Sequence, residues 1–252
     1  YDTSDGTWSK IRIPIESLTA DGQQIINDVI DLTTCVKDGK LYLWIKGHYT
    51  AQPAGVINVF ASMDENQNWS TLGYNVMNHN ATLVSDGVNL YLVNGTIMNE
   101  SFQQIDSNSV LKLEIAQDDT VKGTEVAKTK NSPQRPRVTY TNGKLVISGG
   151  NASSGMVLPN TVVEVVSLDG TTPSTEVDLS KFAGSGVYAS GALSDGSVLL
   201  VGPTSTDGSS NTYKLAADGT LSSIGKLADY ENTLMPAAVA YGDKFYVLAS
   251  IS

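Results

Sequence analysis

One pattern recurs five times along the chain: a short strand-like run, a tight turn containing Asp, Asn or Gly, and an apolar strand-like run ending in a small residue. The copies occupy residues 33–47, 82–95, 137–150, 190–202 and 236–250. Their turns lie at Asp38, Asp86, Asn142, Asp195 and Gly242, in steps of 48, 56, 53 and 47 residues. A repeat of about 50 residues built from short strands is typical of radial repeat folds. The sequence therefore predicts an all-β protein, and specifically a β-propeller.

Each copy is a predicted hairpin, because Gly beside Asp or Asn supplies the positive φ angles of a two-residue β-turn. We label its two strands a and b. Two further strand-like runs, c and d, follow each of the first four copies, so that each unit becomes a four-stranded blade. These runs cover residues 56–63 and 69–72, 110–116 and 121–127, 161–167 and 175–179, and 211–216 and 220–224.

The two ends of the chain complement each other. The fifth hairpin has no c and d strands after it, and residues 8–15 form a strand-like run with no a and b strands before it. Pairing these ends would complete a fifth blade and remove open sheet edges, which favour aggregation. We therefore predict five blades in a ring closed by the N- and C-terminal strands. A larger ring, of which this chain supplies only some blades, is the alternative.

The repeat runs through the whole sequence, so residues 1–252 are predicted to form a single domain. The formal net charge of -10 provides no basic surface for nucleic acid. No apolar run is long enough to span a bilayer, so membrane insertion is not expected. The sequence begins with neither an initiator Met nor a signal peptide, and we expect it to be a segment of a longer protein.

The single cysteine, Cys35, allows no internal disulfide. Scarce cysteine in an acidic chain rich in Asn, Ser and Thr fits an exported bacterial protein. We therefore expect an extracellular or cell-surface location, and a monomer.

The strand pattern resembles the kelch repeat, in which strand b ends in Gly-Gly and is followed by a Tyr and, later, a Trp. Gly149-Gly150 matches the double glycine, and Tyr1 with Trp8 matches the spaced aromatic pair. The resemblance extends over the whole chain through its period and strand order, and it implies a kelch-like propeller.

A second, shorter resemblance is to sialidase-type propellers. Residues 62–69 resemble their Asp-box hairpin, and residues 12–14 are similar to their N-terminal Arg-Ile-Pro element. A sialidase needs three arginines that converge from different blades on a carboxylate. The arginines of this chain are Arg12, Arg135 and Arg137, and the last two belong to one blade. Sialidase activity is therefore not predicted.

Asp64, Asn66 and Asn68 have the alternate-residue spacing of oxygen ligands in a calcium loop. The Gly and the distant Glu of such a loop are missing, so an ordinary polar turn is favoured and no cofactor is predicted, with calcium at this turn as the alternative. The two histidines, His48 and His79, lack the spacing of a zinc site.

The function is predicted to lie in the connections between strands. The b-to-c and d-to-a connections of a propeller emerge on the same rim, and here they are long and varied, as recognition loops often are. Exposed Tyr, His, Asn and Gln side chains offer flat apolar area and paired donors and acceptors to a sugar or a peptide. The candidate binding residues are His48, Tyr49, Gln52, Tyr74, His79, Asn80, Arg135, Tyr188 and Tyr230.

These features favour a non-catalytic recognition module that binds a glycan or a protein. The sequence has no Gly-x-Ser-x-Gly elbow and no phosphate-binding Gly-rich loop. The predicted a strands are mainly small and apolar. The alternative is a carbohydrate-active enzyme that uses paired carboxylates in the central channel, as glycoside hydrolases do.

Overall fold

Four antiparallel sheets of four strands follow one another along the computed structural model, one for each of the first four repeats. The structure describes the chain except residues 1–3, 8, 76–77, 102, 116–120, 154–155, 160, 180–186, 188, 205–209, 228–233, 242–243 and 251–252. Within each sheet the strands a, b, c and d are hydrogen-bonded in that order. The predicted all-β class and the four-stranded blades are therefore confirmed.

The blade strands are as follows. Blade 1 contains β3 (Asp31–Lys37), β4 (Lys40–Tyr49), β5 (Gln52–Met63) and β6 (Trp69–Asn75). Blade 2 contains β7 (Thr82–Ser85), β8 (Leu90–Val93), β11 (Ser109–Ile115) and β12 (Val121–Lys128). Blade 3 contains β13 (Arg137–Thr141), β14 (Lys144–Ser148), β17 (Val162–Ser167) and β18 (Thr175–Asp178). Blade 4 contains β19 (Ala189–Ala192), β20 (Val198–Thr204), β21 (Ser210–Leu215) and β22 (Leu221–Leu227). The fifth hairpin contains β23 (Leu234–Tyr241) and β24 (Lys244–Ser250).

Three small two-stranded sheets complete the described structure. They are β1 (Thr19–Ala20) with β2 (Gln23–Gln24), β9 (Thr96–Met98) with β10 (Gln104–Asp106), and β15 (Asn151–Ser153) with β16 (Met156–Pro159). A three-residue 3-10 helix, Ile15–Ser17, precedes them. The described residues contain no helix that is long and apolar enough to cross a membrane.

The hairpin turns of blades 1 and 3 have the predicted two-residue form, whereas those of blades 2 and 4 are longer and span residues 86–89 and 193–197. Asp38 and Asn142 have φ angles of 50° and 46°, and each is followed by a Gly with positive φ. Two successive positive φ angles are what a two-residue turn requires to match the twist of its strands. The fifth predicted turn, at Gly242, lies outside the described residues.

Apolar side chains fill the spaces between neighbouring blades. In β8, Leu90 and Leu92 pack toward Trp44 of blade 1, whereas Tyr91 and Val93 pack toward blade 3. A third cluster lies between blades 3 and 4. The alternation of side chains along a strand thus buries both faces of the middle blades and stacks the sheets face to face.

The innermost strands stand side by side around the axis of the stack. β3 lies against β7, β7 against β13, β13 against β19, and β19 against β23. This arrangement is that of a β-propeller. Since all five strands occupy the same place in the repeat, their first residues belong to the same rim.

Glycines at the ends of the b strands allow close approach of the chain that enters each blade. A Cβ atom on Gly95 would lie 2.7 Å from the carbonyl oxygen of His79, and one on Gly150 would lie 2.5 Å from that of Gln134. Gly47 has the same relation to the carbonyl oxygen of Asp28. The recurrent glycine is therefore a packing requirement of the repeat.

The predicted pairing of residues 8–15 with the C-terminal hairpin is wrong. Residues 9–14 form no strand, and Ile13 and Ile15 pack instead on the core of blade 1. Among the described residues, β24 is hydrogen-bonded only to β23. The described part of the fifth unit is therefore a two-stranded hairpin, and the number of blades in a closed ring stays a prediction.

Candidate functional site

Polar and charged side chains gather at the rim where the innermost strands begin. Asp31 is the first residue of β3, and Lys46 of β4 lies directly opposite it in the sheet. Asn80 precedes β7, and Gln134 and Arg135 precede β13. We call this set of five residues the axial mouth.

Hydrogen bonds join the axial mouth across three blades. The ammonium group of Lys46 donates to Oδ1 of Asn80 at 3.0 Å, and Nδ2 of Asn80 donates to Oε1 of Gln134 at 2.9 Å. The backbone N–H of Arg135 donates to the carbonyl oxygen of Asn80 at 2.7 Å. These bonds hold side chains from blades 1, 2 and 3 in one arrangement.

An ion pair also connects two blades that are not neighbours. Nε of Arg135 lies 2.7 Å from Oδ2 of Asp31, so the pair joins the entrance of blade 3 to that of blade 1 and passes over the start of blade 2. Arg135 has a φ angle of 52°, a left-handed conformation that is uncommon for a residue with a long side chain. Such backbone conformations are found preferentially at functional sites.

Positive charge is concentrated here. Burial lowers the pKa of Lys46, and the neighbouring Arg135 lowers it further, while Asp31 opposes them. Burial also lowers the pKa of Arg137, the first residue of β13, with Asp31 again opposing and Arg135 adding to the effect. Arg137 is nevertheless exposed to solvent. Three cations thus interact electrostatically with Asp31, and Arg135 is in direct contact with it.

His79 lies beside the axial mouth. Burial, assisted by the positive charge of Lys46, lowers its pKa to about 4. Its buried Nδ1 has no hydrogen-bond partner among the described residues, while its carbonyl oxygen accepts a bond from the N–H of Thr96 at 2.8 Å. His79 is therefore a neutral imidazole at physiological pH.

The b-to-c and d-to-a connections were predicted to emerge on the same rim, and in the structure they pair with each other. The chain that enters a blade forms an isolated β-bridge with the b-to-c connection of that blade. The bridges are Ile26 with Tyr49, His79 with Thr96, and Gln134 with Asn151. The b-to-c connections were expected to be long, varied loops, but they are largely hairpins. In blade 1, β4 and β5 continue to a two-residue turn. The b-to-c connections of blades 2 and 3 contain the hairpins β9/β10 and β15/β16.

The side chain of His48 is hydrogen-bonded to Asp28. Its Nδ1 lies 2.9 Å from Oδ2 of Asp28, and its backbone N–H donates to Oδ1 of the same carboxylate at 3.0 Å. These backbone and side-chain hydrogen bonds from His48 lower the pKa of Asp28. Tyr49 pairs with Gln52 at the tip of the long hairpin and packs partly on the core of blade 1.

The remaining predicted binding residues are dispersed. Tyr74 is exposed on β6, the outermost strand of blade 1, so it is separated from the axial mouth by the width of the blade. Tyr188 and Tyr230 lie outside the described residues. Of the nine predicted residues, Asn80 and Arg135 are thus brought into contact at the axis, with His79 next to them.

The turn that contains Asp64 is closed by its own hydrogen bonds. Oδ1 of Asp64 accepts the backbone N–H groups of Asn66 and Asn68 at 2.9 and 2.8 Å, and Oδ2 accepts Nδ2 of Asn68 at 2.9 Å. This is an Asx-type turn. Among the described residues no group of three or more His, Cys, Asp or Glu side chains is placed to bind a metal ion. Calcium binding at this turn stays a prediction that equilibrium dialysis can test.

A cleft of about 560 Å³ lies on the opposite rim, between blades 2 and 3. Some of its polar groups are bonded within their own hairpins: the hydroxyl of Tyr91 donates to Asp86 at 2.7 Å, and the hydroxyl of Tyr140 accepts the N–H of Gly143 at 3.2 Å. These bonds close the hairpin turns of the two blades. We therefore place the candidate site at the axial mouth and use Lys144 of the cleft as a control position.

Comparison with known proteins supports the fold. No protein-family model matches the chain, and no curated protein matches it either. Among solved structures, the chain is similar to that of YjhT, a propeller-type protein, with a TM-score of 0.63 over 86% of this chain and 76% of that chain. The two sequences are 12% identical, so the likeness shows the fold alone.

The sequence prediction missed several members of the site. Asp28, Asp31, Lys46 and Gln134 were not among the predicted residues, although they contact three that were. A signal was present in the repeat itself. Asp31 and Arg135 both lie seven residues before the turn residue of their copy, Asp38 and Asn142 respectively, so aligning the copies would have grouped them.

Proposed function

We propose that this kelch-like propeller is a non-catalytic recognition module of a secreted or surface-attached bacterial protein, and that it binds a glycan or a protein ligand at the axial mouth. The kelch assignment is supported by the glycines at the ends of the b strands, which the packing requires. The location is supported by composition alone, through the acidic chain with one cysteine.

The hydrogen-bonded network across three blades carries this proposal. Lys46, Asn80 and the buried Gln134 are fixed by one another, so the remaining donors and acceptors of Lys46 and Asn80 are held in place before a ligand arrives. A preorganised polar surface loses little conformational entropy on binding. Polar groups held by a rigid scaffold at the ends of its strands are common at binding sites.

The innermost strands give less support to a glycosidase. Glycoside hydrolysis requires two carboxyl groups on either side of the scissile bond. In the strands β3, β7, β13, β19 and β23 the only Asp or Glu is Asp31, and its carboxylate is paired with Arg135. Binding is therefore the function that the geometry supports better.

The proposal is tested on a glycan array and a peptide array with the purified chain and two variants. Lys46→Gln removes a charge from the axial mouth, and Lys144→Gln removes one from the opposite rim. We expect binding to at least one class of ligand, a loss of roughly tenfold in affinity for Lys46→Gln, and no change for Lys144→Gln. Binding that only Lys144→Gln weakens would move the site to the opposite rim and overturn the proposal.

Hydrolase assays on the same glycans separate recognition from catalysis. The proposal expects no turnover. Turnover that disappears in the Asp31→Asn variant, while folding is unchanged by circular dichroism, would establish the carbohydrate-active enzyme instead.

A further inference from the structure

We propose that the axial mouth recognises a carboxylate group carried by an acidic glycan, with Arg135 and Lys46 as the residues that contact it. This inference depends on the proposed function, since it names the class of ligand for the same site.

The Arg135 side chain has more N–H donors than Asp31 can accept. A guanidinium group carries five N–H donors, and a single carboxylate accepts two of them at most in the fork geometry. Asp31 is the only partner of the Arg135 side chain among the described residues, and it is approached through Nε. The Arg135 side chain is 49% exposed, so its other donors are accessible to a ligand.

Lys46 provides a second positive group nearby. Its ammonium group has three donors, of which Asn80 accepts one among the described residues. The effect of Arg135 on the titration of Lys46 shows that the two cations are close enough to interact. An anion placed between them would relieve their mutual repulsion, so the bound state gains charge compensation that the free site lacks.

The surrounding charges favour a singly charged ligand. Lys46 and Arg135 interact with one carboxylate, Asp31, in a protein whose net charge is -10. Farther out, Asp106 accepts a bond from Gln134 at 2.7 Å. This acidic surrounding disfavours a doubly charged phosphate more strongly than a carboxylate.

The neutral amide beside the cations suits a sugar hydroxyl. Asn80 is half-buried and is held by Lys46 and Gln134, and its amide keeps a second N–H and a second lone pair that can bond a hydroxyl group. Gln134 is itself buried and supports Asn80. Asn80 and the two cations thus form a site for one charged group with a hydroxyl beside it. The observations therefore favour an acidic glycan over an acidic peptide, which lacks such hydroxyls.

The test uses carboxylated glycans and their carboxyl-reduced neutral counterparts on one array, together with hexaglutamate and inorganic phosphate in solution. Affinities for the best glycan are measured by calorimetry. We expect the acidic glycan to bind and the reduced form to bind roughly tenfold more weakly. Arg135→Gln should lower the affinity by a similar factor, whereas Lys144→Gln should leave it unchanged.

Asp31→Asn provides a result that misfolding cannot imitate. It removes the carboxylate that competes for Arg135, so affinity for the acidic glycan should rise by roughly threefold or more. Equal binding of acidic and neutral glycans would overturn the carboxylate inference and leave the recognition function standing. Binding of hexaglutamate or phosphate without the acidic glycan would overturn the ligand class, and no binding on any array would also reject the proposed function.

Discussion

His79 couples the stability of the rim to pH. Its pKa is lowered from 6.5 to about 4 by burial and by Lys46, so the folded protein holds this imidazole neutral where the unfolded chain protonates it. Above pH 6.5 the imidazole is mainly neutral in both states, so its titration does not change the stability there. As the pH falls from 6.5 toward 4 the unfolded chain takes up the proton and the folded protein does not, so the folded state loses stability over this range.

The His79→Phe variant tests this. Phe keeps a ring of similar size and removes the buried Nδ1 that has no partner among the described residues. We expect the variant to be at least as stable as the parent at pH 7, and its free energy of unfolding to fall less between pH 6.5 and 4. Urea denaturation at a series of pH values measures both. Parallel pH profiles for the two proteins would show that His79 is not buried in solution.

Asp86 couples stability to pH in a more acidic range. Burial alone would raise its pKa, but hydrogen bonds from Asn89, Tyr91 and the N–H of Val88 outweigh burial and lower the pKa to about 2. A lowered carboxyl pKa stabilises the folded state above the unfolded value of 3.8, and the contribution disappears as the pH falls toward 2. The Asp86→Asn variant should therefore be less stable than the parent at pH 7, with a difference that shrinks between pH 4 and 2 in urea titrations. A constant difference would contradict the assignment.

At the scale of the elements, the glycine that ends each b strand is a steric requirement. Gly95 and Gly87 have nearly the same φ angle, 90° and 92°, so alanine causes similar backbone strain at both, about 1–2 kcal/mol. They differ in space: a Cβ at Gly95 would lie 2.7 Å from the Cβ of Ala81, and one at Gly87 meets nothing within 4 Å.

Gly95→Ala should therefore destabilise the protein by roughly 1–3 kcal/mol more than Gly87→Ala, because the connection that enters blade 2 must move. Equilibrium unfolding of the two variants gives the difference directly, with backbone strain cancelled by the comparison. Equal losses would mean that the b strand and the entering chain do not pack as described.

The elements that local chemistry specifies were predictable from the sequence. The a and b strands follow from Asp-Gly and Asn-Gly turns, and the c and d strands from alternating apolar residues. The long hairpin of blade 1 was not predicted, because Pro53 is a residue that usually ends strands, yet it lies within β5. The spacing of Ile11, Ile13 and Ile15 indicated a strand, but Ile13 and Ile15 pack on the core of blade 1 without strand pairing, and Ile11 is exposed.

The candidate site was less predictable because it is assembled by the ring. Arg135 meets Asp31 only when three blades stack in order, and no local pattern connects two residues so distant in the sequence. The sequence identified Asn80 and Arg135 as candidates because the connections predicted to lie on one rim were considered together. Their partners Lys46 and Asp31 lie in strands, where polar side chains are ordinarily interpreted as solvent-exposed.

At the scale of the whole molecule, the two ends of the stack show apolar side chains on their innermost strands. Val36 of β3 is 63% exposed, and Val239 of β23 is 61% exposed. Apolar side chains of innermost strands within the stack are covered by a neighbouring blade, as at Val84 of β7, which is 7% exposed. Ile13 and Leu18 of the N-terminal segment pack with the core of blade 1, but Val36 stays exposed.

Replacing Val36 or Val84 by threonine tests whether another blade covers the side of blade 1 that carries Val36. Threonine has nearly the same shape, so the cost depends on whether its hydroxyl is buried. Val84→Thr should lower the free energy of unfolding by about 1–2 kcal/mol, and Val36→Thr by less than about 0.5 kcal/mol. Thermal and urea unfolding of both variants provide the measurement. If Val36→Thr lowers the free energy of unfolding as much as Val84→Thr, then the face of β3 that carries Val36 is covered in solution. The ring would then be closed by contacts that cover Val36, which is exposed in the structure.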